Sequence, residues 1–226
     1  LIDPYSILSM QYVLIHFWGY ELSLIEILGI VSGLLCVYTA AINKIITWPI
    51  GIFNSICFLF LFYQVQLYSD MLLQIYFFGS SIYGWIFWTN KRGIEIPIKN
   101  LDKMYFIFIC AGIVFSSFLL GECTKRLPVW FPELFRLPPS FPYLDAFTTV
   151  ASIVANFLLA RRILDAWFLW VSVDIVCIGI YFSKEIPLIA IEYIAFLLFA
   201  LMGLYHWQKE WKEKVRPSVF TEGQSL

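Results

Sequence analysis

The sequence predicts an all-α integral membrane protein of seven transmembrane helices, arranged as two parallel three-helix repeats joined by a linker helix. Three observations predict it: an excess of apolar residues, seven apolar runs of spanning length, and a match of the chain onto itself at one fixed offset. Hydrophobic residues make up 61% of the 226 residues and charged residues only 14%. A soluble domain carries about 25% charged and about 45–50% apolar residues. A water-soluble fold could not hide so much apolar surface, so the excess has to face lipid. The formal net charge of −1 gives no basis for a nucleic-acid partner.

A hydrocarbon core about 30 Å thick takes about 20 apolar residues of helix. Lipid obliges each span to satisfy its backbone hydrogen bonds internally, so the runs are read as helices. They lie at residues 23–41, 46–63, 70–89, 104–122, 143–160, 165–182 and 187–207. Residues 5–20 are apolar too, but the run is short, and His16 and Trp18 suit an interfacial helix better than an eighth span. Residues 127–142 (LPVWFPELFRLPPSFP) hold five of the ten prolines. No continuous helix is expected through them, and they read as an external loop or cover. The expected organisation is an N-terminal interfacial segment (1–22), a first three-helix repeat (23–89), a linker helix with the proline-rich loop (90–142), a second repeat (143–208) and a tail (209–226).

Basic residues orient the helices. Lys44, Lys91, Arg92, Lys99, Lys103, Arg161, Arg162, Lys209, Lys212, Lys214 and Arg216 fall on one side of the membrane. Lys125, Arg126, Arg136 and Lys184 fall on the other. The richer side is cytoplasmic, which places the C-terminus inside and the N-terminus outside. No cleavable signal peptide is expected at the start of the chain, which opens at Leu1. The five cysteines (Cys36, Cys57, Cys110, Cys123 and Cys177) lack metal or redox spacing and read as packing residues.

Shifted by 119 residues, the chain aligns with itself without a gap. Glu26 falls on Asp145, Val31 on Val150, Ala41 on Ala160, Trp48 on Trp167, Gly84 on Gly203 and Trp88 on Trp207. Apolar sequences match easily by chance, but tryptophans, glycines and an acidic pair agreeing at one offset do not. Three spans, a connecting fourth and three more make the halves parallel. Secondary transporters use this architecture, with a substrate site near the midplane.

Polar residues inside the spans mark where a partner or cavity is needed, since an ionisable side chain at mid-membrane costs about 2.5–3.5 kcal/mol on insertion scales. Asp174 lies in the middle of the sixth span. Helical spacing puts Trp167, Trp170, Asp174, Cys177 and Tyr181 on one face. The structural alternative is an Asp bonded to a neighbouring helix, with Trp167 in an interfacial belt. The fifth span carries Asp145, Thr148, Thr149, Ser152 and Asn156 as a stripe, suited either to lining a cavity or to helix packing. The third carries Asp70, Gln74, Ser81, Gly84 and Trp88, with Tyr76 and Tyr83 beside them. Gln74 stands out because a primary amide needs several partners. Trp85 and Trp88 suit a belt near the cytoplasmic end. Trp48 and Asn54 are the candidates of the second span, and Glu192 and Tyr193 those of the seventh. Glu192 lies in the outer third, within reach of headgroups or a gate. Together the stripes describe a polar, aromatic cavity rather than a proton wire.

No enzyme is expected. The only histidines are His16 and His206, and the chain holds no HExxH, GxSxG or P-loop pattern. No cofactor or metal is expected either. An accessory subunit would have no need of two pseudo-symmetric halves. An ion-coupled carrier is the nearer alternative.

The segments WPIGIFN, LYSDMLLQIYFFGSSIYGWIFW, LLARRILDAWFLWVSVD and IEYIAFLLFALMGLYHW resemble the PnuC family of nicotinamide riboside transporters. The resemblance covers residues 25–212. Its most specific pieces are YGWxxW at Tyr83–Trp88 and WxxWxxxD at Trp167–Asp174. It implies two three-helix bundles joined by a linker helix, as in sugar transporters of the SWEET type. It also implies homotrimers in the bacterial inner membrane and facilitated diffusion of a vitamin precursor that phosphorylation traps inside. The motif Trp167, Trp170 and Asp174 is implied to contribute to the substrate site. Relatives carry thiamine or other nucleoside-like vitamins, so the resemblance does not fix the ligand. Nicotinamide riboside has a flat cationic ring, on which a tryptophan face can stack for about 0.5–2 kcal/mol. Its sugar needs donors and acceptors such as Gln, Asn, Asp and Tyr supply. Thiamine, also flat and cationic, satisfies the same chemistry.

Overall fold

The computed structural model describes residues 9, 12–17, 20–64, 68–89, 96–131, 140–184 and 186–222. Among these residues a two-stranded antiparallel hairpin, β1 (Val13–Phe17) and β2 (Tyr20–Ser23), precedes seven helices. These are α1 (Leu24–Ala41), α2 (Thr47–Gln64), α3 (Tyr68–Thr89), α4 (Lys103–Trp130), α5 (Pro142–Ala160), α6 (Ala166–Ser183) and α7 (Pro187–Glu222). By length and composition six of them can cross a membrane, all but α3. The 22 residues of α3 give about 33 Å at 1.5 Å per residue, long enough to span. It falls short in apolarity because Gln74, Ser80 and Ser81 interrupt the run.

The chain divides into two compact units, residues 1–96 and 97–226. In the first unit α1 packs on α2 and α2 on α3. In the second α4 packs on α5, α5 on α6 and α6 on α7. The offset of 119 reappears in the helix bounds. Thr47–Gln64 shifts onto Ala166–Ser183, Ala41 onto Ala160, and Tyr68 onto Pro187.

The turns repeat as well. Asn43 (φ 58°) and Arg162 (φ 57°) hold equivalent left-handed positions. The N–H of Asn43 bonds the carbonyl of Ala40, and that of Arg162 the carbonyl of Leu159, both at 2.9 Å. Trp48 and Trp167 then enter α2 and α6 with their N–H groups on Ile45 and Leu164. A turn that forces a non-glycine residue into this region twice, with the same bonds, fixes the entry angle of the helix after it.

Helix α1 starts on a capping box. Ser23 Oγ accepts from the Glu26 N–H at 3.4 Å, and the Ser23 N–H donates to the Glu26 carboxylate at 2.7 Å. Glu26 is therefore consumed by the cap. Its counterpart Asp145 instead faces Lys184 Nζ at 4.0 Å. In the second unit residues 99–101 lie along the α5–α6 turn. The Lys99 N–H donates to Arg162 O at 2.9 Å and Lys99 O accepts from Leu164 at 2.8 Å. The Leu101 N–H donates to Asp165 Oδ2 at 2.8 Å. Arg162, buried, lies 4.0 Å from Glu210 of α7.

Two expectations are corrected. Residues 13–17 and 20–23 form a hairpin, not an interfacial helix or an eighth span. The segment VLIHF is rich in residues that favour strands, and His16 sits opposite Glu21, 3.7 Å away. Helix α4 runs through Pro128 to Trp130, so the proline-rich stretch is helical at its start. Pro128 lies in the last turn, where a lost backbone bond can be replaced by water. Residues 132–139 of that stretch lie outside the described residues, and Pro142 at its end opens α5. So do Lys91, Arg92 and Arg136 of the charge count, and Trp18. The segment expected as a tail continues α7 as far as Glu222.

Candidate functional site

Helix α6 brings Trp167, Asp174 and Cys177 onto a buried face. Trp167 is 1% exposed. Its ring lies edge-on to Trp207 of α7, centroids 5.7 Å apart and planes at 78°. Gly203, one turn before Trp207, supplies the space: a Cβ there would come within 2.7 Å of the indole. The Trp167 Nε1–H is buried and has no acceptor among the described residues. Asp174 is 3% exposed, with no hydrogen bond or ion pair among the described residues. Trp170 is half-buried. One turn beyond Asp174, the Cys177 thiol lies beside the Tyr193 hydroxyl of α7. Tyr193 stacks on Tyr181, centroids 5.4 Å apart.

From α5, Asn156 and Ser152 are buried. The hydroxyls of Thr148 and Thr149 both donate to Asp145 O at 2.9 Å. Those two threonines are thus satisfied on their own helix, the packing reading of the stripe. Lys184 lies 5.9 Å from the rings of Phe141 and Tyr181, beside its contact with Asp145. Glu192 is half-buried, with no hydrogen bond or ion pair among the described residues.

The first unit repeats the tryptophan arrangement. Trp48 is buried, edge-on to Trp88 at 5.2 Å and 83°. Gly84 faces it, and a Cβ there would come within 2.6 Å of the ring. The Trp48 Nε1–H is buried without an acceptor among the described residues. Asn54 is already engaged: its Nδ2 donates to Gly29 O at 2.8 Å and to Ser32 Oγ at 3.0 Å, tying α2 to α1. Gln74 is half-buried, and its amide has no hydrogen bond among the described residues. Tyr76 is half-buried beside Phe77, and Tyr83 is exposed and stacked on Phe87. The side chain of Asp70 lies outside the described residues.

The candidates therefore divide between the units: Trp48, Asn54, Gln74, Tyr76 and Tyr83 on the first, Asn156, Trp167, Trp170, Asp174 and Tyr193 on the second. Two readings change. Trp88 is 9% exposed and packs on Trp48, so it is not a belt residue, whereas Trp85 at 43% exposure can be one. Trp167 is likewise core-facing rather than a belt residue. Sequence reasoning paired Gly84 with Gly203 but gave neither a role. The available signal was the spacing Gly-x-x-x-Trp in both halves, which puts a notch and a ring on one helical face.

The sequence model of a family described as nicotinamide mononucleotide transporter matches residues 23–209. The nicotinamide riboside transporter PnuC of Escherichia coli (strain K12) is 32% identical, over 91% of this chain and 95% of that relative. The nicotinamide riboside transporter PnuC of Neisseria mucosa is 25% identical, over 79% of this chain and 70% of the relative. The riboflavin/roseoflavin transporter RibM of Streptomyces davaonensis is 23% identical, over 85% of this chain and 88% of the relative. A crystal structure of the vitamin B3 transporter PnuC is similar at a TM-score of 0.62 with 25% identity, covering 82% of this chain and 81% of that one.

Proposed function

The chain belongs to the nicotinamide mononucleotide transporter family and is a membrane transporter rather than an enzyme, and from that premise we propose that it takes up nicotinamide riboside by facilitated diffusion. The substrate is taken from the Escherichia coli relative, whose sequence this chain matches over nearly its whole length. Phosphorylation inside the cell then traps the product. The carrier works in the bacterial inner membrane as a homotrimer, with seven spans in a 3+1+3 order like that of SWEET carriers. Its N-terminus is outside and its C-terminus cytoplasmic, following the basic residues.

One observation carries the site. Asp174 and Trp167 are both buried; among the described residues the indole N–H has no acceptor and the Asp174 carboxyl has no hydrogen bond or ion pair. Leaving a buried polar group unpaired costs about 1–3 kcal/mol. A structural role would have supplied partners; a ligand-binding role supplies them from the substrate. In this reading Trp170 stacks on the pyridinium, Asp174 accepts from the ribose or the amide, and Trp167 donates. Asn156 and Tyr193 add polar groups on the same unit, and Trp48, Gln74, Tyr76 and Tyr83 are the candidates of the first unit. Among the described residues Asp174 is the one Asp, Glu, Lys or Arg near the middle of a span, which supports a uniporter over a proton relay.

A second reading, favoured by the riboflavin/roseoflavin relative, is a flavin carrier on the same scaffold. Calorimetric titration of the purified protein with nicotinamide riboside, thiamine and riboflavin decides between them. The proposal expects nicotinamide riboside to bind and the others to bind more weakly. Tighter binding of riboflavin would replace it with the second reading.

A further inference from the structure

The tryptophan, glycine and second tryptophan of each unit form one device, built twice. In the second unit α7 presents Gly203 and Trp207 one turn apart. The Gly203 position abuts Cε2, Cζ2 and Cδ2 of Trp167, and Cε2 is the ring carbon bonded to Nε1. Trp207 closes the ring at 5.7 Å, edge-on. The indole is thus held on two sides, its N–H buried and without an acceptor among the described residues. The first unit holds Trp48 against Gly84 and Trp88 in the same way, with the same unpartnered N–H. Packing alone does not require a donor: phenylalanine would fill such a slot without a buried polar atom. An N–H kept unpaired at equivalent positions of both units, and clamped where any side chain on the facing glycine would displace it, is a pre-organised donor.

We propose that Gly203 is a positioning residue for substrate binding: it seats the Trp167 indole so that Nε1–H meets an acceptor oxygen of the ligand, a hydroxyl or carboxamide oxygen in nicotinamide riboside. The proposal rests on the reading of α6 as a substrate-binding helix. Gly84 does the same for Trp48 in the first unit.

A double-mutant cycle with Gly203→Ala and Trp167→Phe tests it. Each purified protein is titrated with nicotinamide riboside, thiamine and riboflavin. Thermal stability and the circular dichroism of the coupled indoles are recorded alongside. Gly203→Ala should weaken binding of the preferred ligand by about five- to tenfold, the effect of one lost hydrogen bond, and should change the indole signal. Trp167→Phe should weaken binding to a similar degree while making room for the added methyl. In the Trp167→Phe background, Gly203→Ala should then cost no further affinity, and stability should recover relative to Gly203→Ala alone. Equal losses in both backgrounds, or Gly203→Ala binding like wild type, would overturn the proposal. So would failure of the double variant to fold, since the glycine would then serve helix packing irrespective of the indole. If wild type binds none of the three ligands, the reading of the site fails and this inference falls with it. A wild type that binds, with no coupling between the two positions, defeats the inference alone.

Discussion

Replacing Asp174 separates a ligand-binding carboxylate from a structural one, because the two predict opposite signs of stability change. Asp174 is 3% exposed with no hydrogen bond or ion pair among the described residues. Burial of a polar group without a partner destabilises the unliganded protein by about 1–3 kcal/mol. Asp174→Leu, close in size and apolar, should therefore hold or raise the melting temperature. Its effect on binding should go the other way. A hydrogen bond to a charged acceptor contributes about 1.5–3 kcal/mol, so losing it should weaken binding by about ten- to a hundredfold. Asp174→Asn keeps an acceptor oxygen but loses the charge. With a neutral bond worth about 0.5–1.5 kcal/mol, it should weaken binding by only about fivefold. The assay is calorimetric titration with nicotinamide riboside, paired with thermal melts of each variant in detergent. If Asn behaves like Leu, the charge itself holds the cationic ring. If Asp174→Leu lowers stability and affinity together, or binds like wild type, then Asp174 is structural and the reasoning fails.

Other outcomes follow from the same geometry. Trp170→Ala should weaken ligand binding with little loss of stability, because the ring is half-buried; stacking and lost contact together set the drop at about 0.5–2 kcal/mol by titration. Trp167→Ala should instead melt early, since removing a fully buried indole costs about 3–5 kcal/mol. Asn54→Leu should destabilise by about 0.5–1.5 kcal/mol in a melt, as it removes the amide's bonds to Gly29 O and Ser32 Oγ, which stay bonded to each other. Gln74→Leu should keep expression and oligomeric state while binding more weakly; failure to assemble would mark Gln74 as an interhelical contact. A cysteine at Lys212, exposed on α7, should react with impermeant thiol reagents only from the cytoplasmic side. External labelling in a background without the five native cysteines would reverse the topology.

The helices were legible because lipid leaves the backbone one choice. Each apolar run became a helix within a residue or two of its expected start, since nothing but an internal ladder can satisfy backbone groups there. The repeat was legible for a related reason. Trp48 and Trp167, Gly84 and Gly203, and Trp88 and Trp207 are size-matched sets, and a notch, a ring and a second ring must move together. Composition alone misled at the ends of the spans. Residues 13–23 are as apolar as a short helix, but their strand pairing is decided by a cross-strand register that helical spacing does not reveal. Helix α4 outlasts its apolar run because Glu122, Lys125 and Arg126 leave the hydrocarbon without ending the helix. They also form the i,i+4 pair Glu122–Arg126.

At the site, the face of α6 was legible from spacing, and so was the oddity of Asp174 in an apolar run. The state of each polar atom was not. The stripe that offered Asn54 as a ligand partner could not show its amide already bound to α1. Trp88 read as a belt residue because its depth is near the membrane edge, yet Trp48 turns it inward. A role for Gly203 needs the distance from its missing Cβ to a ring on another helix, and such a distance exists only in three dimensions.

Passive carriage of nicotinamide riboside is tested most directly by uptake into proteoliposomes. Radiolabelled nicotinamide riboside is followed into sealed vesicles first without an ion gradient, then with a proton or sodium gradient imposed. Entry should stop at equal concentrations inside and outside, with a plateau that neither gradient moves. Accumulation above the external concentration, or no protein-dependent entry at all, would contradict it.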